Sequence, residues 1–263
     1  MIAPIFILLL QSPAAPPAAP PIEAKPAFTL EKLAGNKWSL VVPPGGALLS
    51  DIAVELKSKL EVPVTVSKTL ATARLKSGFN RPSMEEALTR LSPRAYIDYR
   101  ATSGPAGKTM LTTVTLQDAA ETAPPLPRES HTSMVFEGIP DDPTVETLEP
   151  LRQAADAQKM LEPLPPGPFL RISYQHGLVT LRAHQVTPAA IANDLAMRLS
   201  VAFTLHSGFD VGPTDLEITS VPVDELARWL PPGMSVLYRR EASTRVVTPL
   251  RILMGEPPAR PQQ

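Results

Sequence analysis

The chain has no cysteine, only 2 Trp, 4 Tyr and 7 Phe among 263 residues, and no surplus of either charge. Without cysteine there are no disulfides and no thiolate metal ligands, so the fold must be held by packing. The 25 Lys and Arg against 26 Asp and Glu leave a net charge of −1, mixed along the chain. Composition therefore offers no basic face for a polyanion, and nucleic acid is not expected as a partner. The four histidines, His131, His176, His184 and His206, show no His-x-x-x-His spacing, so no metal site and no cofactor are expected. His176 reads as a turn residue, and His184 and His206, which flank a helix, read as surface positions. A Gly-x-Ser-x-Gly nucleophile motif is also missing. Gly107-Lys108-Thr109 resembles the end of a phosphate loop, but the residue five before Gly107 is Thr102 and a strand follows. It reads as a hairpin turn. Asp141-Asp142 reads as a capping run before a helix, since a calcium loop needs more oxygens at regular spacing. With no cluster of catalytic side chains, the expectation is a protein that is not an enzyme.

What is abundant is proline. There are 32, where roughly 5% average usage would give about 13. Much of the excess lies in connecting segments, and 43% hydrophobic residues are enough for a core. Met1 to Leu10 is apolar throughout and is followed by Ser12-Pro13-Ala14. This pattern predicts a signal peptide over residues 1–14, although no Lys or Arg precedes the apolar run. About ten apolar residues are half of a spanning helix, so the membrane is expected only as a contact of an uncleaved segment. Residues 15–35 then form an Ala/Pro-rich tether.

Hydrophobic periodicity places the elements. Trp38 to Val42 reads as a strand, and Leu48, Leu49, Ile52, Ala53, Leu56 and Leu60 fall on one helical face. Val62 to Val66 is a strand that Pro63 places at a sheet edge. Ser83 and Glu86 form a capping box for a helix over Met84 to Leu91, and strands follow at Ala95 to Arg100 and Met110 to Leu116. Later, Phe169 to Tyr174 pairs with Leu178 to Ala183 through Gln175-His176-Gly177. Pro188 to Leu199 is a helix, Val201 to Leu205 and Leu216 to Ile218 are strands, Pro222 to Leu230 is a short helix and Met234 to Tyr238 a strand. Between the two sets, residues 118–168 read as a Pro-rich linker carrying a strand at Ser133 to Phe136 and a helix at about 145–161.

The two sets align without a gap at a constant offset of 139 residues. Ile52 meets Ile191, Leu56 meets Leu195, Thr65 meets Thr204, Glu86 meets Glu225, Tyr99 meets Tyr238 and Arg100 meets Arg239. The expected fold is α+β, two repeated small domains over 36–117 and 169–254, each strand-helix-strand-strand-helix-strand with its helices on one face of a small sheet. Residues 255–263 would be a disordered tail.

Ile52-Ala53-Val54-Glu55-Leu56, Val62-Pro63-Val64, Met84-Glu85-Glu86-Ala87-Leu88 and Tyr96-Ile97-Asp98-Tyr99 in the first set resemble the STN domain, the short module at the N-terminus of secretins and TonB-dependent receptors. Ile191-Ala192-Asn193-Asp194-Leu195, Val201-Ala202-Phe203, Val223-Asp224-Glu225-Leu226 and Val236-Leu237-Tyr238 repeat the likeness, which spans about two thirds of the chain. No pore region or receptor barrel follows before Gln263. The resemblance thus implies a free-standing, exported, periplasmic protein that makes protein–protein contacts, with an envelope protein or with itself, in an assembly, secretion or TonB-type signalling system. The alternative is a small-ligand binder or envelope enzyme with a site between the two domains.

The binding candidates are the recurring pairs Tyr99-Arg100 and Tyr238-Arg239, together with Trp229. The plain reading is that each tyrosine closes a core and each arginine caps a sheet edge. The functional reading is a docking edge, since Tyr and Arg are enriched at binding hot spots. Trp229 is expected to close the core, with a contact role as the alternative.

Overall fold

A computed structural model describes residues 28–125, 134–136, 166–206 and 212–255. The signal segment, the tether up to residue 27, the helix expected at 145–161, Asp141-Asp142, His131 and the tail beyond residue 255 lie outside the described residues.

The first unit runs β1 (Thr29–Leu33), β2 (Lys37–Val41), β3 (Ala47–Leu48), α1 (Leu49–Leu60), β4 (Val64–Val66), β5 (Arg74–Leu75), β6 (Phe79–Ser83), α2 (Met84–Leu91), β7 (Arg94–Thr102) and β8 (Thr109–Gln117). A short strand β9 (Met134–Phe136) follows. The second unit runs β10 (Phe169–Gln175), β11 (Leu178–Val186), α3 (Pro188–Leu199), β12 (Ala202–Leu205), β13 (Thr214–Pro222), a 3-10 helix (Val223–Trp229), β14 (Met234–Glu241) and β15 (Val247–Met254). The class is α+β.

Each unit has an outer three-stranded sheet, β1-β2-β6 in the first and β10-β11-β13 in the second. The other principal strands form one seven-stranded sheet in the order β4-β8-β7-β14-β15-β12-β9. The helices are held between these layers. α1 packs on β1 and β4, α2 on β2, β6 and β7, and α3 on β10, β11, β12 and β15. Each unit therefore encloses its own apolar core. Trp38, Leu40, Ile52, Leu88 and Leu116 centre the first, and Leu181, Ile191, Leu195, Leu226 and Tyr238 the second.

The elements follow from local chemistry and keep the offset seen in the sequence. A shift of 139 carries α1 onto α3 residue for residue, and Ile52 and Ile191 are both fully buried on them. Both helices end on a left-handed residue, Glu61 (φ 58°) and Ser200 (φ 54°), again at the same offset. β7 and β14 each carry an irregularity against the following strand, between Asp98 and Tyr99 and between Leu237 and Tyr238. The β10–β11 hairpin turns at His176 (φ 51°) and Gly177 (φ 78°), a two-residue loop with both central residues left-handed, the form that matches the strand twist. Gly107 closes the β7–β8 hairpin. Its N–H bonds to the Gly104 carbonyl, and a Cβ there would sit 2.2 Å from the Thr102 oxygen. The phosphate-loop likeness is accordingly a turn.

Three expectations are corrected. The first unit begins well before residue 36: β1 pairs along its length with β2, and Phe28 and Leu30 are buried in the core. Its alternation was hidden behind the Ala/Pro-rich run that precedes it. β15 was not expected at all, because Pro249 breaks the pattern of Val247–Met254, yet the strand lies inside the central sheet. Pro249 stands next to the β14 irregularity, where ladder bonds are already disturbed. Finally, the helix over Pro222 to Leu230 is 3-10. α2 starts from a full capping box in which Ser83 Oγ accepts from the Glu86 N–H and the Glu86 carboxylate accepts from the Ser83 N–H. At the same offset the second unit has Pro222, which has neither a hydroxyl nor an N–H, and the segment winds in the tighter form used in short pieces. Ser83→Ala is therefore expected to lower stability by about 1 kcal/mol, read as a lower denaturation midpoint at unchanged slope.

Candidate functional site

The two Tyr-Arg pairs meet at the centre of the molecule. β7 and β14 pair antiparallel with Tyr99 directly opposite Tyr238, its own equivalent in the offset alignment. The units are thus joined about a local two-fold axis through this residue pair. The rings stack with centroids 5.5 Å apart and an interplanar angle of 28°. Tyr238 is fully buried. Its hydroxyl donates to the Val223 carbonyl at 2.9 Å and accepts from the Ala227 N–H at 3.3 Å, tying the 3-10 helix to β14. Burial holds its phenol well above the ordinary tyrosine value, and burial likewise raises Tyr99 and Tyr96.

The arginines point to the other face of the sheet. Arg239 makes a two-pronged ion pair with Asp98, Nε to Oδ1 at 2.7 Å and Nη2 to Oδ2 at 2.8 Å, with both residues almost wholly buried. The same guanidinium donates to the Pro124 and Pro125 carbonyls and lies 5.6 Å from the Tyr96 ring centre. Arg100 donates from Nε to Ser235 Oγ at 2.8 Å and from Nη2 to the Gly255 carbonyl at 3.3 Å. Neither arginine caps an edge. The edge that the sequence suggested for docking at these pairs is taken by the other unit, and their polar groups are used within the chain.

On the helix side, the junction leaves a cleft of about 580 Å³ lined by Tyr99, Glu85, Arg240, Asp224, Glu225 and Arg228, among others. Arg240 Nη1 donates to Glu85 Oε1 at 2.8 Å, and its guanidinium lies 5.8 Å from the Tyr99 ring centre. The bond to Glu85 raises the affinity of Arg240 for its proton. Sequence reading missed Asp98, Glu85 and Arg240. A lone acid inside the apolar run Ala95-Tyr96-Ile97-Asp98-Tyr99 was the available signal, because a carboxylate there needs a cation.

Trp229 does not close the core. It is 52% exposed on the 3-10 helix, whose buried residues are Leu226 and Ala227, and its equivalent at the 139-residue offset, Arg90 on α2, is exposed as well. His176 lies in its turn, as read. His184 is half-buried and meets Asp215 at 2.9 Å, whereas His206, expected on the surface, is buried at the end of β12, its N–H bonded to the Met254 carbonyl. Among the described residues, no group of His, Asp and Glu is placed to hold a metal ion.

The central sheet ends on β4 at one side and on β9 at the other. Among the described residues β4 pairs only with β8, in parallel. The Val114 N–H donates to the Pro63 carbonyl and the Ser67 N–H to the Leu116 carbonyl. By the two-residue period of a strand, Thr65 also faces β8, and the peptide groups of Val64 and Val66 point outward, with no strand beyond them among the described residues. Beside this edge lies a hollow of about 450 Å³ lined by Val54, Lys57, Ser58, Glu61, Val62 and Pro63. Val54 is 70% exposed.

No protein-family model matches the chain, and neither a curated protein nor a solved structure matches it.

Two outcomes test the junction. Arg239→Met should destabilise the fold by about 3–5 kcal/mol by stranding a buried carboxylate, and the double variant Asp98→Leu/Arg239→Met should recover most of the loss; chemical denaturation of the four-member cycle checks both. Tyr238 also sets an alkaline limit. A phenol whose folded-state pKa is raised contributes stability that is intact below the ordinary value near 10 and is lost as pH rises above it. Thermal melts from pH 8 to 11 should show that decline, and it should be shallower in Tyr238→Phe.

Proposed function

We propose that this chain is an exported, non-enzymatic module that makes protein–protein contacts in a bacterial envelope assembly, secretion or TonB-type signalling system. The observation that carries this reading is the open β4 edge, where the outward peptide groups of Val64 and Val66 stand beside the exposed Val54. An unpaired edge of this kind accepts a partner strand by main-chain hydrogen bonds and requires no catalytic group. The apolar N-terminal run Met1 to Leu10 and the STN-like pattern of both units supply the envelope setting. A second reading, a small ligand held between the units, is favoured by the cleft where Tyr99, Arg240, Glu85 and Asp224 converge.

The test is a capture experiment from envelope extracts with residues 25–263 as bait, with the bait's own mass followed by light scattering. Val66→Pro removes an outward N–H while leaving the β8 ladder intact. The contact reading requires a specific envelope partner, or a defined oligomer, that the variant weakens by about tenfold while its melting temperature stays within about 5 °C of the unaltered chain. A monomer that captures nothing favours the cleft.

A further inference from the structure

The second unit shows what belongs on the open edge of the first. β12 occupies the place of β4 at the 139-residue offset. Each runs parallel to the last strand of its unit, and each follows a helix that ends on a left-handed residue. The other side of β12 is taken. β9 pairs there antiparallel, with Phe136 opposite Phe203, Val135 opposite Thr204 and Met134 opposite Leu205. The equivalents of those three β12 residues are Val64, Thr65 and Val66, and among the described residues no strand lies on the side of them away from β8. Burial tracks the difference: Thr204 is fully buried, and Thr65 is exposed.

We propose that β4 accepts an extended segment of a partner protein, bound antiparallel and reading apolar-x-apolar, as β9 does on β12. The inference rests on the contact reading above and specifies the chemistry of its partner. Residues directly opposite across an antiparallel pair point to the same face of the sheet. Val64 and Val66 pack on the first core, so the two partner residues facing them lie on the helix side, over the hollow that Val54 and Val62 line. Apolar side chains in that position cover exposed valine. The partner residue opposite Thr65 points to the other face and is free to be polar. Lys57 and Glu61 beside the hollow balance each other, so the groove selects by shape and apolarity more than by charge.

The probe is a fluorescent nonapeptide copying residues 131–139 of this chain, which carries Met134-Val135-Phe136 in the required pattern, titrated into the full chain. The proposal expects saturable binding of one peptide per chain, with amide exchange at Val64 and Val66 slowed by about tenfold and the amides of residues 202–205 unchanged. Val66→Pro, or Met134→Asp with Phe136→Asp in the peptide, should weaken binding by about tenfold or more. Absence of saturable binding, protection confined to residues 202–205, or equal binding of the Asp peptide would overturn it. Exchange on the unaltered chain decides the matter if Val66→Pro does not fold. If the peptide fails while Val66→Pro still abolishes capture from extracts, the strand chemistry is wrong and the contact reading stands. If that capture is also insensitive to Val66→Pro, both fall.

Discussion

Everything central in this molecule depends on the pairing of β7 with β14. Those two strands turn a three-stranded half and a four-stranded half into one sheet, and the pairing is pinned on both faces at once. On the helix side, the stacked Tyr99 and Tyr238 rings sit on the local two-fold axis. On the other side, the Asp98–Arg239 pair is almost fully buried and makes both of its parallel hydrogen bonds. A slip of one residue would turn every side chain of β14 to the wrong face and leave both charges without partners. Register at the junction is thus set by polar groups as firmly as by apolar ones, and the cleft beside it inherits its shape from that register.

The local symmetry is broken in ways that matter. Where the first unit caps α2 with Ser83, the second has Pro222 and a 3-10 helix, and where α2 exposes Arg90 the 3-10 helix exposes Trp229. Where the axis brings Arg239 to Asp98, the equivalent of Asp98 in the second unit is Leu237, packed with Leu250 and Leu253. One half of the junction therefore carries a buried ion pair, and in the other Arg100, opposite Leu237, bonds to Ser235 and the Gly255 carbonyl instead. The two ends of the sheet differ as well: β12 carries β9 on its outer side, whereas β4, its equivalent, carries no further strand among the described residues.

Much of the fold was legible because it rests on local rules. Helical spacing in Leu49, Ile52, Ala53 and Leu56, the Ser83-Glu86 capping box and Pro63 beside an edge strand each act within a few residues of themselves, and each appears where the pattern puts it. What was not legible depends on distant pairing. β15 reads poorly because Pro249 interrupts it, and only its neighbours β14 and β12 make it a strand. β1 is recognisable once β2 lies beside it. The role of the Tyr-Arg pairs was misjudged for the same reason: their recurrence was plain, but recurrence alone does not say that the two copies face each other. Asp98 was visible only as an oddity, and its partner lies 141 residues away.

That separation bears on how the chain reaches its final form. The contacts of β7 with β8 are local and can form as soon as residue 117 is available, but the opposite side of β7 must wait for residues 234–241. Until then the first unit exposes a long strand edge along with an unpaired carboxylate at Asp98. Such an edge is a template for pairing with other chains, and distant pairings of this kind form slowly. The pairing of β14 then does two things at once: Arg239 neutralises the buried charge of Asp98, and the strand covers the open side of β7.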